Sequence, residues 1–167
     1  MIYSRASIFL FSTILAISAT ACSQQENDGA AAPSTDGAAA ASKEESSALP
    51  RTASIAGAGV FFISPADGDT LTNPITVEFG IEGMDVVKAG ENAPQSGHHH
   101  LIIDAGLPDL GLPIPANEHY VHFGDASTST ELNLGPGTHT LQLLLGDYLH
   151  IPHNPPVLSE PITVIVE

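Results

Sequence analysis

From Val60 to Glu167 the apolar residues come in short runs cut apart by glycine, proline, asparagine and aspartate, and no stretch repeats them at helical spacing. That punctuation restricts the chain to strands joined by turns. Val60-Phe61-Phe62-Ile63 is closed by Ser64-Pro65, and Asp67-Gly68-Asp69 follows as a turn rather than a calcium loop, whose longer ligand series is missing. Ile75, Val77, Phe79 and Ile81 alternate with polar or small residues, the pattern of a half-buried strand. Leu101-Ile102-Ile103 lies between Gly97 and Gly106, too confined for a helix, and Pro108, Pro113 and Pro115 make Leu107 to Asn117 an extended connection. His119 to Phe123 and Thr130 to Leu134 read as further strands. Thr138 to Asp147 is the longest, and Ile162, Val164 and Val166 line one side of the last. About seven short strands without a convincing helix predict an all-β fold, an immunoglobulin-like antiparallel β-sandwich.

The N-terminal third has a different character. Residues 1–21 carry one positive charge at Arg5, an apolar run from Ile8 to Ile17 and small residues before Cys22, which is the layout of a secretory signal peptide. The stretch resembles a bacterial lipoprotein signal, which implies that Cys22, the single cysteine, is the lipid-modified first residue of the mature protein. Residues 22–57 are mostly Ala, Ser, Gly, Gln, Asp and Glu with nothing to bury, a disordered tether reaching roughly 30 Å as a random coil. Residues 58–167 are then the folded domain. The expected location is the cell envelope, with the lipid anchor in the membrane on the periplasmic side of the outer membrane.

Charge narrows the partners. Nineteen acidic residues against four basic ones give a formal charge of -15. From Arg51 onward only Arg51 and Lys88 oppose fourteen carboxylates, so the acidity belongs to the domain itself. Such a field repels nucleic acid and attracts cations. The protein partners are not legible.

All eight histidines fall between His98 and His153, and three of them, His98-His99-His100, run directly into a strand. If that strand and Thr138 to Asp147 are antiparallel neighbours, with His119 to Phe123 at the adjoining edge, then one end of the sheet gathers His98, His100, His122, His150 and His153. His139, eight residues before Asp147, falls roughly 26 Å from that end and is not expected to be a ligand. Alternation places Leu101, Ile103 and His99 inward, and His98, His100 and His122 outward beneath the loop histidines. A bulge near Gly97 would invert this, which keeps His99 in reserve.

Neutral imidazoles on a rigid sheet suit a divalent ion, Cu²⁺ or Zn²⁺, with Asp147 or Glu118 completing the shell or orienting a ring. No thiolate is available in the domain and Met84 is its one thioether, so Cu(I) is the poorer fit. A lone histidine beside a strand is usually hydrogen-bonded or solvated, and this is the reading for His119 and His139.

The segments Gly97 to Asp104, His122-Phe123-Gly124, Gly137 to Asp147 and Pro152 to Val157 resemble an uncharacterised bacterial family, the domain of unknown function numbered 4399, over about Val60 to Glu167. The resemblance implies export but no activity, and it places His139 in a matching segment. Three functions stay open. The first is a lipid-anchored envelope protein whose histidines bind a divalent metal as buffer, carrier or sensor. The second is a structural or ligand-binding module of the envelope whose histidines knit loops together. The third, a metal-dependent enzyme using Asp147 or Glu118 as base, has least support, because no nucleophile elbow, phosphate loop or His-Glu-x-x-His helix is present.

Overall fold

The computed structural model describes residues 49–167, and the signal-like stretch, Cys22 and the tether up to residue 48 lie outside the described residues. The described residues form nine strands: β1 (Gly59–Ser64), β2 (Thr70–Leu71), β3 (Ile75–Glu82), β4 (Asp85–Val86), β5 (Ser96–Ile103), β6 (Tyr120–His122), β7 (Ser129–Leu132), β8 (Gly137–Gly146) and β9 (Ile162–Val166). One sheet has the order β1-β3-β7; the other runs β2-β9-β8-β5-β4, with β6 also paired to β5. Nine strands replace the expected seven because β2 and β4 are two-residue pairings, too short to leave a hydropathy pattern. Both pair in parallel, β2 with β9 and β4 with β5, so the sandwich is mixed rather than wholly antiparallel.

The two sheets enclose one core. Alternation supplies it: Ile75, Val77 and Phe79 from β3 meet Leu101 and Ile103 from β5, Leu141, Leu143 and Leu145 from β8, and Val164 and Val166 from β9. Fully burying such side chains contributes about 1.5–3 kcal/mol each. The outer face of the larger sheet is covered as well. Ile102 and Leu144 pack there against Ile114 of the proline-bearing connection, with Tyr120 and Leu158 beside them. As a result every residue of β5 is buried, on both faces. A strand buried on both sides has no solvent to receive its polar side chains, and β5 carries three histidines in succession.

Residues 51–57 belong to the tether in the sequence reading, yet residues 51–54 are hydrogen-bonded onto the folded part. Ala53 forms a bridge with Asn154, Asn154 N–H donates to Thr52 O at 2.9 Å, and Ser54 N–H donates to Asn154 O at 3.2 Å. Their polar composition hid this, because the contacts are backbone bonds with no apolar signature.

Candidate metal centre

Strand alternation sets the first two ligand candidates. In β5, His98 and His100 share the outer face with Ile102, while His99 points into the sandwich, where its ring meets Phe79 edge-on at 4.7 Å. β6 then adds a third imidazole, because His122 is the direct cross-strand partner of His100. A fourth arrives from the loop after β8. There His150 sits at φ 66°, a left-handed conformation uncommon for a residue with a β-carbon, and its ring lies against the other three.

The four rings pack against one another. Ring centroids are 4.9 Å apart for His98 and His100, 4.9 Å for His98 and His122, 4.9 Å for His98 and His150, 5.0 Å for His100 and His122, and 4.8 Å for His122 and His150. Only His100 and His150 are farther apart, at 6.1 Å. One ring nitrogen from each of His98, His100 and His122 lies within 4.8 Å of those of the other two. Two glycines make the room. A β-carbon on Gly146 would stand 2.9 Å from His100 Nε2, and one on Gly124 would stand 2.9 Å from His122 Nε2. Either substitution drives a methyl group into an imidazole.

Hydrogen bonding within the cluster is incomplete. His98 Nε2 and His100 Nε2 are 3.1 Å apart and share one proton at most. His98 Nδ1, His100 Nδ1 and His122 Nε2 are buried without a hydrogen-bond partner. A buried polar atom left unpaired costs about 1–3 kcal/mol, so a group so poor in partners is retained against a stability penalty. Protonation offers no escape. Burial, then the neighbouring His150 and His122, push His98 down from 6.5 to about 4, with Asp147 only partly opposing. Burial and the surrounding rings push His100 down to about 2. His122 is also lowered, by burial first and then by His150. At neutral pH these three rings are uncharged, each with one ring lone pair, and the only proton offered among them is the one that His98 and His100 share.

An ion fits this arrangement. A Zn–N distance of about 2.0–2.1 Å puts a ring centroid roughly 3.2 Å from the metal, so four rings in a tetrahedral shell have centroids about 5.2 Å apart. Five of the six observed distances fall just inside that value. Two nitrogens 3.1 Å apart, each about 2.0–2.1 Å from an ion, subtend about 100° at it, between square-planar and tetrahedral.

The remaining candidates lie elsewhere. His153 is fully buried but is not brought into the cluster: its Nε2 lies 3.1 Å from Ser96 O and its Nδ1 3.5 Å from Leu145 O. Its ring abuts the position of a Gly97 β-carbon, on the same side of β5 as His99. His99 itself stays on the core face, with neither ring nitrogen partnered, and burial pushes it down to about 4. Asp147 is near enough to His98 to raise its pKa, but its own oxygens accept from Leu149 N–H, Ile151 N–H and the Thr52 hydroxyl. Glu118 is exposed, 3.9 Å from the ring of His119, which donates from Nδ1 to Ile103 O. His139 stands at the opposite end of β8, with Nδ1 on Asp104 at 2.6 Å and Nε2 on Gly135 O at 2.8 Å. Gly124, Gly146 and Thr52 escaped sequence reasoning. The glycines read as strand ends and Thr52 as tether, and no local signal marked them otherwise.

Residues 77–167, more than half of the chain and including every histidine, match the family described as Domain of unknown function (DUF4399). No curated protein and no solved structure matches the chain.

Proposed function

Since the chain belongs to the DUF4399 family, a domain of unknown function, its role has to be read from its own residues, and we propose that the domain binds one divalent transition-metal ion through His98, His100 and His122, with His150 closing the shell. The observation that carries this reading is the convergence of His98, His100 and His122, held neutral and with buried nitrogens that lack partners, against which the His150 ring packs. Cu²⁺ and Zn²⁺ match an all-imidazole donor set, and Cu²⁺ binds the more tightly by the usual order of divalent affinities. Met84 supports a divalent ion over Cu(I), because its thioether is buried in the sandwich core and not among the rings. The proposal extends to an exported protein, lipid-anchored through Cys22 in the cell envelope, where it serves as a buffer, carrier or sensor of the ion. The acidic surface supports it by concentrating cations near the site.

Titration of the metal-free full-length protein with Cu²⁺ and with Zn²⁺ tests the reading. One equivalent is expected, lost in His98→Ala, His100→Ala and His122→Ala and retained in His139→Ala. No uptake of either ion contradicts it, and the cluster is then a structural feature of a non-metal envelope module.

A further inference from the structure

His98, His100 and His122 are fixed by strands, but His150 is not, and the means by which its loop is held lead to residues far away in sequence. The turn that carries it is built on Asp147. His150 N–H donates to Asp147 O at 2.8 Å, Asp147 N–H donates to Ile151 O at 2.9 Å, and Asp147 Oδ1 accepts from Leu149 N–H at 2.8 Å and Ile151 N–H at 3.0 Å. The other carboxylate oxygen, Oδ2, accepts from the Thr52 hydroxyl at 2.7 Å. Next to it the Arg51 guanidinium donates to Pro152 O at 2.8 Å and to His153 O, the two carbonyls that follow the turn. Backbone bonds between residues 52–54 and Asn154 continue the seam.

From this we propose that Arg51 and Thr52 are positioning residues for the fourth metal ligand. The segment Arg51–Ser54 acts as a strap across the loop after β8, and it sets the His150 ring against the three strand-borne imidazoles. The inference rests on the metal-binding reading above and deepens it. Two features make the strap more than a packed connection. Asp147 is 1% exposed, and a buried carboxylate that loses a charge-assisted donor has no solvent to replace it. His150 is held at φ 66°, a backbone state that persists only where surrounding contacts impose it. Strap contacts fall on both sides of His150, at Asp147 and at residues 152–154, so releasing them loosens the turn from either end. What remains is a three-imidazole site.

The test uses the full-length chain, Cu²⁺ as the probe, and the variants Thr52→Val, Thr52→Ser, Arg51→Ala and His150→Ala. Thr52→Val keeps the shape of the side chain but removes the hydroxyl. It is expected to weaken Cu²⁺ binding about 10- to 100-fold, as changes to residues that orient metal ligands do. The nitrogen hyperfine pattern in the Cu(II) paramagnetic resonance spectrum should fall from four nitrogens to three. Arg51→Ala shifts both readouts in the same direction, and Thr52→Ser, which restores the donor, returns them to wild type. Against a His150→Ala background, Thr52→Val should have no further effect, because its influence passes through that ring. Wild-type affinity with a four-nitrogen spectrum in Thr52→Val overturns the positioning role, and so does an equal weakening in the His150→Ala background, which marks general destabilisation. A wild-type chain that takes up no Cu²⁺ overturns both this inference and the reading beneath it.

Discussion

At one end of the β5–β8 ladder His98 and His100 face His122 and His150; just past its other end His139 faces Asp104. The residue type is the same, and so are the strands. In the first setting an imidazole is buried among imidazoles, so its charged form is penalised by both desolvation and its neighbours. In the second, Nδ1 and Nε2 both meet acceptors, the Asp104 carboxylate and Gly135 O, so hydrogen bonds to the charged form raise its pKa. One end offers lone pairs and the other consumes them. The chemistry of a histidine here is set by what the opposite strand and the covering loop present to it.

The sharpest way to break this contrast is to remove a ring from the first end. His100→Leu should lower Cu²⁺ affinity on the order of a hundredfold or more, given the roughly 3 kcal/mol that each ligand of a four-coordinate site supplies. The same titration of His139→Gln should match wild type. A ligand role for His139 would erase the distinction between the two ends.

His99 sharpens the comparison from the core side. Both of its ring nitrogens are buried without partners against Phe79, yet it faces away from the cluster. His99→Leu should therefore raise the urea midpoint by the equivalent of about 1–3 kcal/mol, by removing an unpaired buried polar group, and should leave Cu²⁺ affinity unchanged. Loss of binding in this variant would reverse the facing of β5.

Changes of pH on the metal-free protein complete the comparison, and the two ends should respond with opposite sign. His98 and His99 are lowered from 6.5 to about 4, and His100 to about 2. As pH falls below 6.5 the unfolded chain takes up protons that the folded rings refuse, so stability drops progressively toward pH 4. His139 is raised, so its contribution is fully present below 6.5 and is lost as pH rises through its folded value. Exposure of this pair to solvent keeps its share small. Urea midpoints across pH for wild type and His139→Gln separate the arms: the acid loss should persist in the variant, and the loss on the neutral-to-alkaline side should vanish.

The legibility of the site in the sequence follows the same physical division. Period-two alternation is fixed by backbone geometry, so Leu101 and Ile103 told which way His98, His99 and His100 point, and Val121 did the same for His122. The pairing of β5 with β6 and β8 followed once an immunoglobulin-like strand order was assumed. Loops obey no such period. His150 and His153 looked equivalent in sequence, but the tight turn on Asp147 sends the first to the cluster, while the chain beyond it carries the second to Ser96 O and Leu145 O. The strap was invisible for a related reason: Arg51 and Thr52 act through hydrogen bonds to partners about a hundred residues away, and polar residues leave no hydropathy trace.

X-ray absorption at the metal edge of the Cu²⁺- or Zn²⁺-loaded protein measures the central claim most directly, because it counts the nitrogen neighbours and their distances without requiring any variant to fold. Four imidazole nitrogens at about 2.0–2.1 Å are expected. A shell dominated by oxygen, without the outer-ring scattering of imidazoles, would contradict the assignment of His98, His100, His122 and His150 as one metal centre.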